Sequence, residues 1–497
     1  MIWALVGACV LASIPAALRW LRVAQREHYL APSVTRFAIR WWTSSLLNKA
    51  LAVLSLFGVF GAIFDPWYGF LAVLSQIGPV GLSARGKTSP LAWTERLRRL
   101  AVVSGVLMAL VLVGGGGSDL AWLVAIGVVL LPVIVDISLY ALGPVESRLG
   151  NKWVEKAAGR LRGSGAQVVA ITGSYGKTTT KQYAAHLLSA TFRTVASPAS
   201  FNNRMGLARA INDHLVPGTE VFIAEMGTYG PGEIKALCEW VKPDLSAIVA
   251  IGPVHLERFE SEERIVAAKA EILEGVATGV IGIDHPLLDM LAKSKADDID
   301  LITVSAGGAE ATVQVEDGQL MVDGRQVAPI PDGVFALNLG VAVAISIALG
   351  MRPDQITPRL GNLPHPEHRQ TVATSERGVA IIDDTYNSNP AGARKALETL
   401  TQLVAGGRKV VVTPGMVELG TLQAAENLAF ATAASMVVDD IVVVGTTNRA
   451  ALLEGSARGQ ASVTVLASRE AAVGWVRDNL GPGDAVLYEN DLPDHYP

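Results

Sequence analysis

The sequence predicts an all-α, multi-span membrane domain followed by an α/β part with mostly parallel sheet. Three observations carry this. The first 145 residues hold the apolar excess, in long uncharged runs separated by short arginine clusters. From residue 166 onward, short β-branched runs alternate with helical stretches, the rhythm of parallel α/β folds. One of those runs, VVAITGSYGKTTT over 168–180, passes straight into a glycine–lysine–threonine loop.

Taking the elements in order, residues 2–18 carry no charge and are followed, not preceded, by Arg19, Arg22 and Arg26, which predicts an uncleaved anchor rather than a secretory signal. Further apolar runs cover 50–64, 67–83, 100–113 and 120–142, and only the last comfortably reaches the roughly 20 residues that a spanning helix needs. Asp65-Pro66 reads as a tight turn between the second and third runs, which form either two spans or a re-entrant pair. Arg19, Arg22, Arg26, Arg36, Arg40 and Lys49 fall in the first connection, and Arg85, Lys87, Arg96, Arg98 and Arg99 in the third. The second connection and the fourth (114–119) hold no lysine or arginine. The positive-inside rule then predicts about five spans, an external N-terminus and a cytoplasmic remainder at the inner face of the cell membrane. Asp136, inside the fifth run, is either functional or a snorkelling helix-end charge.

The predicted organisation is a transmembrane helical domain over 1–145, a basic linker over 146–165, a central domain over 166–366 and a C-terminal domain over 367–497. Strands are expected near 168–171, 221–224, 247–251 and 280–283 and, after the break at 363–366, near 379–382, 410–413, 441–444, 463–466 and 485–488. A chain of 497 residues with 18% charged residues and a net charge of −5 gives no sign of nucleic-acid binding. Two cysteines, Cys9 and Cys238, exclude a disulfide framework.

The loop after the first central strand is built for a nucleotide triphosphate. Gly173 and Gly176 let the backbone bend close to phosphate beside Ser174, Lys177 adds a point charge, Thr178 offers a hydroxyl to Mg²⁺, and the helix through Thr179 turns its positive end to the anion. The general phosphate-loop spacing would need glycine at Ile171, so only the shorter pattern T-G-x-x-G-K-T-T fits. Glu225 ends a strand in EMG, His255 follows another strand, and Lys269 lies on the helix after it. Taken singly these are a strand-end charge, a capping histidine and a solvated lysine. Taken together they are the partners such a loop needs.

In order and content the set resembles the Mur ligases, ATP-dependent amide ligases of peptidoglycan synthesis, and within them the D-alanyl-D-alanine-adding branch. The resemblance covers residue 168 to the C-terminus through TGSYGKTTTK (172–181), FNNRMG (201–206), EMGTYGPGEI (225–234), HLERFESEERIVAAKAEIL (255–273), DDTYNSNP (383–390) and GMVELG (415–420). It implies a central ATP-binding domain on a parallel sheet and a C-terminal Rossmann-like domain. It implies ATP and two Mg²⁺ ions, with Lys177 on the phosphates, Thr178 and Glu225 at one metal, and His255 with a carbamylated Lys269 at the other. Asn338 is implied at the nucleotide pocket, Arg369 at the phosphates and Asp384 at the ribose. Asn202, Asn203, Tyr386, Asn387 and Asn389 are implied on the substrate side.

The chain departs from that pattern in three places. Membrane spans replace the usual soluble domain that grips the uridine nucleotide. Val334-Phe335 stands where a His-Asn pair is common, and Thr413-Pro-Gly-Met416 lacks the usual aspartate. The expected function is ATP-dependent coupling of an acid, nucleotide-linked or lipid-linked, to an amino acid or dipeptide amine at the membrane, with cell-wall enzymes as further partners. The competing readings are a Mur-like ligase for another polymer and a catalytically silent membrane scaffold.

Overall fold

The structure is a computed structural model describing residues 1–86, 90–198, 201–331, 333–364, 371–385, 388–403, 406–492 and 495–496. Its N-terminal region is helical: α1 (Ile2–Arg26), α2 (Ser33–Trp42), α3 (Leu46–Gly61), α4 (Glu95–Gly117), α5 (Ala121–Val129) and α6 (Leu131–Ser164). Helices α1 and α4 are long and apolar enough to cross a membrane. The pairs α2–α3 and α5–α6 reach that length only together and are bent by 111° and 72°, so length and composition give two spans, or up to four, among the described residues.

The expectation of five spans is corrected at the third apolar run. Instead of one helix, residues 66–77 form a 3₁₀ turn (Pro66–Tyr68) and two four-residue helices, Gly69–Ala72 and Leu74–Ile77. Proline opens the turn, and two glycines of α3 let the segment fold back on it. A Cβ at Gly58 would lie 2.7 Å from the Leu71 Cβ, and one at Gly61 would lie 2.6 Å from the Tyr68 ring.

Asp136 has a structural task. Helix α2 has no side-chain cap of its own. The Asp136 carboxylate accepts from the Val34 and Thr35 amides at 3.2 and 2.7 Å and from the Thr35 hydroxyl at 2.5 Å. It thus supplies from α6 the acceptor that the first turn of α2 lacks.

The stretch read as a basic linker is the second half of α6. Its 34 residues span about 50 Å at the α-helical rise. Leu131, Ile134, Val135 and Leu139 pack in the helical region's core, whereas Val154, Ala157 and Leu161 pack in the core of the next domain. A rigid strut therefore joins the two.

The α/β part has two sheets. The first has nine strands: β1 (Gln167–Thr172), β2 (Thr194–Ala196), β3 (Val221–Glu225), β4 (Leu245–Ile248), β5 (Thr278–Gly282), β6 (Asp300–Ser305), β7 (Val313–Glu316), β8 (Gln319–Val322) and β9 (Arg325–Pro329). Their order is β2-β3-β1-β4-β5-β6-β7-β8-β9. The pairing is parallel through β7 and antiparallel in the β7-β8-β9 meander. The second sheet, of six strands, is ordered β10-β11-β15-β12-β13-β14. It comprises β10 (Thr371–Thr374), β11 (Ala380–Asp384), β12 (Lys409–Thr413), β13 (Asp440–Val444), β14 (Ser462–Leu466) and β15 (Ala485–Glu489). Only β10, against β11, is antiparallel there. Apolar cores cover both faces of each sheet, as parallel sheets require. The carboxyl ends of β1, β3, β4, β11 and β15 open toward one cavity.

Candidate active site

The cavity has a volume of about 700 Å³ and is walled by three parts of the chain: the phosphate loop and its neighbours, the second sheet, and the turn between α1 and α2. Strand β1 delivers Gly173 to Gly176, after which helix α7 (Lys177–Leu188) begins. Gly176 has φ 78°, and a Cβ there would sit 2.2 Å from Asn338 Nδ2, so both conformation and space demand glycine. The Lys177 ammonium donates to the Gly173 and Ser174 carbonyls at 2.6 and 3.2 Å, which holds it over the loop mouth. Ser174 lines the cavity, and its hydroxyl is buried without a hydrogen-bond partner.

Behind the loop lies a buried polar network. Glu225, 1% exposed, accepts from Lys181 Nζ at 2.8 Å, Thr178 Oγ1 at 3.0 Å and Asn202 Nδ2 at 3.1 Å. Lys181, which forms an ion pair with it, is itself only 3% exposed. Asn338, on a helix below, does not face the cavity. From α8 (Glu262–Ala270) and α9 (Ala336–Ala348), the structure recruits one cavity residue and one support. Lys269 of α8 lines the cavity, while Asn338 of α9 donates to the Gly176 carbonyl at 2.8 Å and Thr180 Oγ1 at 2.9 Å. Asn338 thus braces the loop from behind.

Lys269 is 3% exposed, and no acidic side chain of the described residues pairs with it. Burial, and then the charge of Lys177, push its ammonium well below the ordinary lysine range. His255, in the left-handed region at φ 54°, is hydrogen-bonded through Nδ1 to Glu418 Oε2. Burial alone would raise the Glu418 carboxyl, but the hydrogen bond and charge of His255 outweigh it and hold it below its ordinary range. The Leu256 amide also donates to the Glu418 carbonyl at 2.9 Å. These contacts join the two α/β domains across the cavity.

The structure sorts the remaining expected residues. Asn202 and Asn203 line the cavity, although Asn203 Oδ1 also caps the next helix at the Gly206 amide, 2.9 Å away. Thr179 is buried in α7 away from the cavity. Asp384, implied at the ribose, is turned away, and Asp383 lines the cavity in its place. Successive residues of a strand face opposite sides, so the one-residue difference decides this. Asn389, implied on the substrate side, is a helix cap: its Oδ1 accepts from the Gly392 amide at 2.9 Å. Arg369, Tyr386 and Asn387 lie outside the described residues. Phe335, where the His-Asn pair is missing, forms the N-cap of α9. Thr413, which opens the stretch that lacks the aspartate, donates to buried Glu489 of the adjoining strand.

Sequence reasoning missed a whole wall. Arg26, Glu27 and His28 from the α1–α2 turn line the cavity, as do Tyr229, Arg258, His495 and Tyr496. Glu27 pairs with Arg258 at 3.3 Å and with His495 at 3.0 Å. The Trp41 indole donates to the His495 carbonyl at 2.7 Å. The only signal was compositional: the runs REHY (26–29) and END (489–491) are polar stretches at element ends.

Hard oxygen donors and one carboxylate suit Mg²⁺ better than a soft metal. Among the described residues no three His, Cys, Asp or Glu side chains gather as a ready metal site. Thr178 and Glu225 fit an ion shared with a triphosphate, since Mg²⁺ commonly takes few protein ligands.

The Mur ligase middle-domain model matches residues 171–343, and the model of the Mur ligase glutamate ligase domain matches residues 368–488. A UDP-N-acetylmuramoyl-tripeptide–D-alanyl-D-alanine ligase of Mycobacterium tuberculosis is 31% identical over 375 residues, covering 68% of this chain and 72% of the relative. Among solved structures, MurF of Acinetobacter baumannii aligns with TM-score 0.60 at 24% identity, covering 69% of this chain and 77% of that one. The MurF ligase of Thermotoga maritima in complex with ADP aligns with TM-score 0.57 at 24% identity, over 69% and 80%. At those identities the structures establish the fold, and the helical region lies outside the residues matched by the family models. The sequence relative and the two family models, on a site with this phosphate loop, place the chain in the Mur ligase family of ATP-dependent peptide ligases.

Proposed function

We propose that this ligase adds D-alanyl-D-alanine to the carboxylate of a muramoyl-tripeptide acid, in peptidoglycan precursor synthesis at the inner face of the cell membrane. The observation that carries it is the buried, unpaired Lys269 facing Lys177 and Glu225 in one cavity. An ordinary structural lysine at that depth would have an acidic partner.

Lys177 and the backbone amides that open α7 hold the β- and γ-phosphates of ATP. The acid's carboxylate attacks the γ-phosphorus, ADP leaves, and an acyl phosphate forms. The amine then attacks the acyl carbon, and the tetrahedral intermediate expels phosphate as the amine proton departs. Both steps build negative charge, which the fixed cation and amides stabilise without reorganisation. Thr178 and Glu225 would hold one Mg²⁺, and His255 with Lys269 a second. Bound there, Mg²⁺ would neutralise phosphate charge.

For Lys269 to serve, its neutral amine adds to CO₂, losing a proton and becoming a carbamate anion. The suppressed protonation of this amine favours that addition. Glu418 fixes the His255 ring through Nδ1 and leaves Nε2 for the ion, the usual carboxylate–histidine–metal relay. Closure of the second sheet's domain over the cavity shields the acyl phosphate from water.

The detergent-solubilised chain, given ATP, D-alanyl-D-alanine and a muramoyl-tripeptide acid, should release ADP and yield the amide by mass. Lys269→Ala should abolish both products, and ¹³C-bicarbonate should give a carbamate carbon resonance in the wild type that the variant lacks. ADP release without amide from any such acid would refute the substrate assignment.

A further inference from the structure

The turn between α1 and α2 is an unusual piece of backbone. His28 and Tyr29 both occupy the left-handed region, at φ 55° and 60°. Glycine is the ordinary residue at such a helix end, and a bulkier side chain there costs roughly 1 kcal/mol or more. Both rings are held: Arg96 lies over the Tyr29 ring at 4.3 Å, and Gln25 Nε2 donates to the Tyr29 hydroxyl at 3.2 Å. The His28 ring stacks on Tyr229 with centroids 5.4 Å apart, and its Nε2 lies 3.3 Å from the Tyr229 hydroxyl. Tyr229 in turn sets its edge against His255 at 5.0 Å. The turn therefore stands on the His255 side of the cavity, away from the brace behind the phosphate loop. Arg26 and His28 themselves remain solvent-accessible within the cavity.

The other end of α1 supplies the second observation. Trp3, Val10, Leu11 and Ile14 expose between 45% and 72% of their surface, as do Val102, Val106, Leu110 and Val113 of α4 at 53% to 64%. These are the two helices that qualify as membrane spans. Polar cavity wall and lipid-facing apolar surface thus belong to one continuous helix. A substrate with an anionic head and a long apolar tail matches both ends of it.

We propose that the acid substrate is a membrane-carried amphiphile, its carboxylate joined through phosphate to a hydrophobic chain, and that Arg26 and His28 bind its anionic head. This rests on the ligase reading and narrows the form of its acid. The same peptide carried on a nucleoside diphosphate shares the phosphate chemistry but has no use for the apolar helices.

The full chain in lipid nanodiscs, with ATP and D-alanyl-D-alanine, can be given the muramoyl tripeptide on a polyprenyl diphosphate or on a nucleoside diphosphate. We expect kcat/KM at least tenfold higher for the polyprenyl form. Arg26→Ala and His28→Gly should each raise KM for that form about tenfold while leaving KM for ATP in place. His28→Gly is the informative variant, because the left-handed backbone there accepts glycine without strain, and a thermal melt checks that the fold tolerates loss of the ring. Equal or better turnover of the nucleotide-linked form, or an unchanged KM in both variants, overturns the proposal. Direct binding of the labelled polyprenyl-linked peptide to nanodiscs separates the two readings. Binding that His28→Gly weakens, with no amide formed, keeps the contact with the anionic head but rejects the ligase reading on which its role as substrate rests; binding no greater than that of empty nanodiscs rejects the proposal.

Discussion

On one side of the cavity, Gly173, Ser174, Gly176 and Lys177 come from five consecutive residues between one strand and one helix. On the opposite side, His28, Tyr229, His255, Glu418 and Tyr496 come from five separate stretches of the chain and meet only in the folded molecule. The first wall is made by local backbone geometry, and its function survives as long as β1 and α7 are in register. The second is made by long-range pairs: Glu27 with Arg258 and His495, and Trp41 with the His495 carbonyl. A motif can encode the first wall. Only the docking of three domains can encode the second.

The comparison breaks most cleanly at Lys177. Lys177→Ala should lower ATP turnover by roughly 10²- to 10³-fold, the usual cost of removing one transition-state charge contact, with little change in thermal stability. Loss of turnover by less than tenfold would mean that the local wall is not the nucleotide wall.

Gly176→Ala should come next. The left-handed φ costs about 1 kcal/mol, and the added methyl meets Asn338 Nδ2 at 2.2 Å, so KM for ATP should rise about tenfold. Combining it with Asn338→Ala relieves the clash and should recover part of that loss. No recovery would show that φ alone is responsible.

Glu27→Gln probes the other wall. It removes the carboxylate that meets both half-buried Arg258 and buried His495, and should cost about 1–3 kcal/mol. Hydrogen exchange should quicken at residues 26–30 and 495–496 while protection of 172–178 is unchanged. Equal effects on both segments would mean that the two walls are energetically one.

At Glu489 the expected effect lies in the pH dependence of stability, with no direct effect on either wall. Burial pushes its carboxyl from 4.5 up to about 7, against the hydrogen bonds from Ser388 and Thr413. The folded state therefore holds this proton more tightly than the unfolded chain. That contribution is complete below about pH 4.5 and is lost as pH rises through 7, up to about 3 kcal/mol. Thermal melts of Glu489→Gln should show a flatter decline between those values than the wild type, and an identical decline would place the titration elsewhere.

Much of the α/β part was legible because its strands are short apolar runs closed by turns. All nine expected strand positions fall on β1, β3, β4, β5 and β11 to β15. The β7-β8-β9 meander went unread, since its strands are short and half-polar. In the helical region, the run 67–83 is apolar and uncharged, but Pro66 and the close approach at Gly58 and Gly61 turn it back on α3. Hydropathy counts apolar residues without sensing such contacts. Asp384 and Asn389 lie outside the cavity lining for a related reason: a motif locates a stretch to within a residue, whereas strand pleat and capping geometry decide which side chain faces the cavity.

The sequence by itself determined the phosphate loop, the alternation of strands and helices, and the Mur ligase assignment, because each rests on residues adjacent in the chain. Tertiary structure alone decided that Asn338 braces the loop, that Glu418 orients His255, and that the turn between the first two helices lines the ligase cavity. Those depend on groups separated by up to 468 positions, as His495 is from Glu27. Such partners are chosen by packing, which no local pattern records.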